Sequence, residues 1–155
     1  MLKIIECDFK NALHRQKIVD LIDAYMQDPM GGGKPMPEKN KQPLMYGLAA
    51  HPCAFVLFAM DNDDFIGIAT CFVNFSTFNV KPYINVHDLA VLRNYRGLGI
   101  GRKLLQRVID IAKEKGYCKV SLEVRNDNIN AQGLYRSLGF GESDPPMHFW
   151  ERKVE

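Results

Sequence analysis

At 155 residues with a formal net charge of +2, the chain is long enough to bury roughly two-thirds of its unfolded surface and too near neutral for a broad nucleic-acid footprint. Hydrophobic content of 46% and charged content of 25% are ordinary for a soluble globular protein, and no apolar run approaches a membrane span. The expectation is one domain over residues 1–155, cytoplasmic, with no membrane and no nucleic acid as partner. The four cysteines, Cys7, Cys53, Cys71 and Cys118, are scattered with no C-x-x-C pair. Three of them fall in apolar strand-like stretches, so buried free thiols are expected rather than a zinc site.

In chain order, Leu2 to Cys7 predicts a short first strand. Ile18, Leu21, Ile22 and Tyr25 recur at i, i+3, i+4 and i+7, which predicts a helix that stops near Asp28-Pro29. From Met30 to Pro43 glycines and prolines crowd together, and the spacing predicts a mobile loop, either a tolerated surface insertion or a specificity loop. Leu44 to His51 predicts a short second helix. Ala54–Ala59 and Phe65–Phe75 form a strand pair turned by Asp61 to Asp64, and a fourth strand runs from about Tyr83 to Val91.

Next come Arg96-Gly97-Leu98-Gly99-Ile100-Gly101 and a helix whose apolar stripe is Ile100, Leu104, Val108, Ile111 and Ala112, ended by Gly116. Cys118 to Arg125 alternates with a period of two and predicts a fifth strand. Asn126-Asp127-Asn128 caps a helix carrying Ala131, Leu134, Tyr135 and Leu138. Met147 to Val154 predicts a closing strand, with His148 and Trp150 on one face and Trp150 in the core or at an acceptor pocket. This order of elements is a mixed α/β (α+β) domain.

The glycine-rich turn at the head of the third helix is the most informative stretch. Glycines leave backbone N–H groups uncovered, and a helix amino terminus favours anions, so the turn suits a phosphate or diphosphate. Arg96 adds a fork able to grip phosphate oxygens. The spacing G-x-G-x-G is not the dinucleotide fingerprint, and Gly33-Lys34 is followed by Pro35 instead of the hydroxyl of a P-loop. A nucleotide-binding α/β domain is therefore disfavoured.

Position for position, Arg96 to Gly101 resembles the acetyl-coenzyme-A loop of the GNAT superfamily of N-acyltransferases, [Q/R]-x-x-G-x-[G/A]. Asn128, Ala131, Tyr135 and Leu138-Gly139-Phe140 are similar to its second signature. The resemblance implies a GNAT fold, a central, mostly antiparallel mixed sheet flanked by helices, with a V-shaped cleft between strands 4 and 5. It also implies acetyl-CoA as cosubstrate, an amine acceptor as partner, no metal, and a homodimer such as many members form. The implied cofactor-binding set is Leu89, Ala90, Val91, Arg96, Gly97, Leu98, Gly99, Ile100, Gly101, Arg102, Asn128, Ala131 and Tyr135. Within it, the backbone of Leu89 to Val91 pairs with the pantetheine arm, and the Tyr135 hydroxyl sits by the thioester sulfur.

The implied chemistry is acyl transfer from a thioester to a primary amine. A lysine-type amine, pKa about 10.4, arrives protonated; the leaving thiolate, pKa about 8.5, takes a proton that a phenol near 10 can give. Tyr135 is the expected general acid. His87, with an unperturbed pKa of about 6.5, is a candidate base, and equally a strand residue with a satisfied hydrogen bond; Asp88 is the second candidate. Alternation puts His87, Leu89 and Val91 on one face and Asp88 on the other unless a bulge intervenes. Gly133, inside a helix, leaves room for a neighbouring strand or ligand. The expected function is an acetyl-CoA-dependent N-acetyltransferase working by direct attack in a ternary complex. The alternative is a silent acyl-CoA-binding sensor or scaffold. The acceptor is not encoded in any motif.

Overall fold

The computed structural model describes residues 1–154. Its centre is a five-stranded sheet in the order β1-β2-β3-β4-β5, with β1 Leu2–Glu6, β2 Ala54–Asp61, β3 Asp64–Ser76, β4 Lys81–Val91 and β5 Val120–Leu122. Neighbours are antiparallel except β4 and β5, which run parallel. The helices are α1 Ala12–Gln27, α2 Glu38–Ala50, α3 Ile100–Glu114 and α4 Ile129–Ser137.

Two apolar layers clamp the sheet. On one face Ile18 and Leu21 of α1 pack with Val56, Phe58 and Ile68, and Leu44 and Leu48 of α2 close the edge. On the other, the α3 stripe of Ile100, Leu104, Val108, Ile111 and Ala112 is buried against Leu57, Ala69, Ile84 and Val86. All five stripe positions face the sheet, as their helical period requires. Local signals place the ends. Asn11 accepts hydrogen bonds from the Leu13 and His14 amides at the start of α1, and α1 ends at Asp28 because Pro29 follows. Asn128 caps α4 by accepting from Ala131 N at 3.2 Å.

Several expectations are corrected. The segment from residue 28 to 43 is not a featureless loop: a 3₁₀ turn spans Pro29–Gly31, and α2 begins at Glu38, with Pro43 inside it. Proline there removes one helical hydrogen bond, yet the apolar face of Leu44 and Leu48 outweighs it. The fifth strand is three residues long, and Cys118 lies outside it, partly exposed. Cys7 and Cys71 are the buried thiols, and Cys53 is exposed. Met147 to Val154 forms no strand, and Trp150 is 85% exposed, so it is in no core. A side chain at Gly133 would meet nothing, so no neighbouring strand requires that glycine. Among the described residues, no helix is long and apolar enough to cross a membrane.

Candidate active site

The site begins where β4 and β5 part. They pair only from Ile84↔Val120 to Val86↔Leu122, and β4 then runs on to Val91 with no strand on that side among the described residues. This divergence is the cleft expected between strands 4 and 5. At the same point β4 bulges: Asp88 pairs with Thr70 but Val86 pairs with Cys71, leaving His87 as the extra residue. Beyond the bulge Leu92 N donates to Ile66 O, so residues 90 and 92 direct their backbone groups toward β3. By antiparallel alternation, the N–H and C=O of Leu89 and Val91 point into the cleft.

The bulge corrects the expected facing of His87. Its ring lies edge-on to Phe72, centroids 5.6 Å apart, on the face that also carries Thr70, while Leu89 and Val91 pack on the α3 layer. His87 is exposed, and Phe72 also receives His51 at 5.0 Å. Asp88 shares that face and accepts a hydrogen bond from the Thr70 hydroxyl, which is 2% exposed.

The glycine turn stands open. Gly97 and Gly99 have φ of +77° and +78°, a left-handed backbone that only glycine adopts freely, and a Cβ at either would meet nothing within 4 Å. No side chain caps α3; its first backbone bond from this end runs from Lys103 N to Gly99 O. The amides ahead of Lys103 have no partner within the helix, and such a terminus favours anions. Gly101 abuts α4, since its Cβ would lie 3.4 Å from Leu134, the neighbour of Tyr135 in the chain. Arg102 ties the two helices by donating to Ser137 Oγ. The amino-terminal turn of α3 and the helix that carries Tyr135 are thus packed together.

The Arg96 side chain is held by two contacts within the protein. Its Nε donates to Val91 O at 3.0 Å, and its Nη1 lies 2.8 Å from Asp28 Oδ2. From the opposite wall Arg125 donates to Pro29 O at 3.3 Å while paired with Asp127. Both walls of the cleft are thereby fastened to the turn after α1. Between α1 and the end of β4 lies a cavity of about 290 Å³, lined by Leu21, Tyr25, Asp28, Ala90, Leu92 and Arg96 among others.

Tyr25 from the α1 layer and Tyr135 from the α3 layer meet electrostatically across the gap. Burial pushes the Tyr135 phenol above its ordinary 10.0, and Tyr25 adds to the rise. Tyr25 is raised as well, first by burial and then by the negative charges of Asp88 and Asp28. Tyr25, Asp28, Thr70 and Arg125 are site residues that sequence reasoning missed. The one available signal was a hydroxyl-bearing aromatic at the end of an otherwise aliphatic stripe, directly before Asp28-Pro29.

Residues 18–140 match the acetyltransferase (GNAT) family. N-alpha-acetyltransferase 30 of Schizosaccharomyces pombe is 40% identical over 56% of this chain and 57% of its own length. The [ribosomal protein bS18]-alanine N-acetyltransferase of Haemophilus influenzae is 33% identical over 60% of this chain and 59% of its own. The matched part of the chain spans less than two-thirds of either relative. A solved structure described as a probable acetyltransferase superposes with a TM-score of 0.83 at 20% identity, covering 99% of each chain, a likeness of fold.

Proposed function

Because the chain belongs to the acetyltransferase (GNAT) family, we propose that it is an N-acetyltransferase that moves the acetyl group of acetyl-CoA to a primary amine by direct attack in a ternary complex. One observation carries this reading: the unpaired edge of β4 at Leu89 and Val91 leads straight to the bare glycine turn of α3, with Tyr135 beside it.

Acetyl-CoA supplies an acyl group already activated as a thioester. The amides of the turn from Gly97 to Arg102 hold its diphosphate, and Asn128 and Ala131 line the same side. Leu89 and Val91 take its pantetheine arm as an added strand, with Ala90 between them held to β3. An amide of that edge faces the thioester carbonyl, a donor worth about 3–4 kcal/mol as charge develops there. Arg96 keeps the Val91 carbonyl oxygen occupied, so this part of the edge presents donors rather than acceptors. Tyr135, raised above 10.0, stays protonated at neutral pH and gives its proton to the departing thiolate.

Of the two candidate bases Asp88 is favoured. Its charge reaches Tyr25, whereas His87 is turned onto Phe72. Asp88 attracts the incoming ammonium, with Thr70 fixing one carboxylate oxygen. The names of the two relatives, an N-alpha-acetyltransferase and a ribosomal-protein alanine N-acetyltransferase, support peptide α-amines as the first acceptors to try. An α-amine, pKa about 7.7–8.0, also needs less help in losing its proton than a lysine.

The test is thiol release from acetyl-CoA over a panel of peptides, small amines and aminoglycosides, beside calorimetry of acetyl-CoA binding. Binding with amine-dependent thiol release supports the proposal. Binding without release from any amine leaves the silent sensor reading in its place, and no binding removes both.

A further inference from the structure

The β3–β4 hairpin runs past the rest of the sheet and ends in an apolar tip. Strand β2 stops at Ala54, opposite Phe72, whereas β3 and β4 stay paired as far as Ser76↔Lys81. Asn79 N donates to Ser76 Oγ at 3.2 Å and closes the turn between them. At this tip Phe78 is 98%, Val80 70% and Phe75 58% exposed, and none of the three belongs to either apolar layer. Val80 also holds a φ of +51°, a left-handed backbone that a β-branched residue rarely adopts.

Just behind the tip the surface is basic. Cys118 N donates to Pro82 O, which sets the start of β5 beside the base of the hairpin, and Lys113 of α3 lines one groove with Cys118 and Lys119. Lys81, Lys113, Lys115 and Lys119 are exposed, and none is in an ion pair among the described residues. Lys119 Nζ lies over the Tyr83 ring, 4.7 Å from its centroid. Glu114 is held by Arg107 at 2.8 Å, and no Asp or Glu occurs from 71 to 87 or from 115 to 122.

An apolar apex with cations set behind it has the layout of an element that dips into a bilayer interface. We infer that the hairpin tip docks on an anionic lipid surface, with Phe78 and Val80 at the acyl boundary and the four lysines among the headgroups. The apex lies beyond the Phe75↔Pro82 pair by one further pair, Ser76↔Lys81, and the turn. At strand rise that is about 7–10 Å, which matches the roughly 5–10 Å depth of interfacial elements. A single-stranded RNA would need the cations foremost, in a groove that tracks its phosphates. The expectation of no membrane partner came from the lack of a spanning run, and a surface bound from one side needs none. Strand β4 leads from this tip to the cleft at its other end, so the glycine turn stays clear of the lipid.

The test uses the full chain and needs neither acetyl-CoA nor an acceptor. Co-sedimentation with phosphatidylcholine vesicles, with and without phosphatidylserine, is expected to show binding to the anionic set alone, weakened by salt. Phe78→Ser combined with Val80→Ser is expected to lower partitioning at least about tenfold. Lys81→Gln combined with Lys119→Gln is expected to lower it about 25-fold, or roughly fivefold per lysine. All four side chains are exposed, so the circular dichroism of both variants should match wild type. Failure to bind anionic vesicles overturns the inference, as does equal binding to neutral ones. So does binding that survives the loss of Phe78 and Val80, which would belong to the exposed tail around Trp150. Tighter binding to single-stranded RNA than to anionic vesicles at the same salt also overturns it, in favour of a nucleic acid.

Discussion

Asp28 Oδ2 lies 2.8 Å from Arg96 Nη1 and 3.9 Å from Arg93 Nη2, and these ion pairs join the end of α1 to the segment after β4. Asp28 also accepts from the Met30 amide and starts the 3₁₀ turn, while the other side of Arg96 holds Val91 O. The Asp28 side chain is 10% exposed and that of Arg96 45%, so the pair is shielded on its carboxylate side only. Gly31 belongs to the same arrangement: a Cβ there would lie 1.9 Å from Tyr25 O. The turn is therefore packed against the last turn of α1 and cannot swing freely.

The Met30 amide and the Arg96 guanidinium hold the Asp28 carboxyl below its ordinary 3.8. A folded value below the unfolded one means the unfolded chain binds more protons between the two. The contribution is complete above pH 3.8 and is lost as pH falls through the folded value. Asp28→Asn is expected to destabilise the protein by about 1 kcal/mol at neutral pH, with the gap to wild type closing below pH 3.8. Urea titrations at neutral and acid pH measure it. An equal gap at both would show that the charge is not what matters.

The turn glycines separate by conformation. Gly99→Ala finds open space but must hold a φ of +78°, at a cost of about 1 kcal/mol. Gly101 has no such φ, and its Cβ would meet Leu134 at an ordinary 3.4 Å. Gly101→Ala is therefore expected to be neutral or to stabilise by up to about 1 kcal/mol, as alanine does within helices. Gly99→Glu goes further by placing bulk and negative charge where the diphosphate is proposed to sit, and is expected to abolish acetyl-CoA binding. Melting curves and calorimetry read these effects. Undiminished affinity in Gly99→Glu would refute the assignment of the loop.

What the sequence made legible was local. The α3 stripe, the glycine turn, the Asn128 cap and the β2–β3 hairpin each follow from neighbours a few residues apart. What it hid depends on distant partners. The bulge that turns His87 toward Phe72 exists because β3 and β4 change register between Thr70 and Cys71. Arg96 was legible as a cation beside a phosphate loop; its partner Asp28 lies 68 positions earlier and closes on it only in the fold. Helix α2 runs through Pro43 because of Leu44 and Leu48, against local propensity. The tail from Met147 alternates as a strand should, yet it forms no strand, because alternation alone supplies no neighbouring edge to pair with.

The thiols are ranked by burial. Cys7 and Cys71 are pushed up to about 12, in both cases mainly by burial. A thiol that far above neutrality forms almost no thiolate, the reactive species. Cys53 is exposed and Cys118 is partly so. Titration of the native protein with an aromatic disulfide at pH 8 is expected to label Cys53 first and Cys118 more slowly. Cys7 and Cys71 should react only after denaturant. Rapid labelling of Cys71 in the native state would contradict its place between β3 and α3.

Tyr135→Phe tests the proposed acid with little change in packing. The ring stays edge-on to Phe140, at a centroid distance of 6.2 Å in the wild type, and only the hydroxyl is lost. Loss of a general acid lowers kcat by about 10²–10⁴-fold, while acetyl-CoA affinity, set by the turn and the β4 edge, should stay within about twofold. The pH dependence supplies a second reading. Burial first and Tyr25 second raise the phenol, so its loss of the proton comes only above pH 10.0. An alkaline fall in kcat below that pH belongs to another group and should survive in the variant. Tyr25→Phe is the paired control, because it stands across the same gap and is also raised. A larger kcat loss in Tyr25→Phe than in Tyr135→Phe would move the acid to the α1 wall, and an unchanged kcat in Tyr135→Phe would remove Tyr135 from the role.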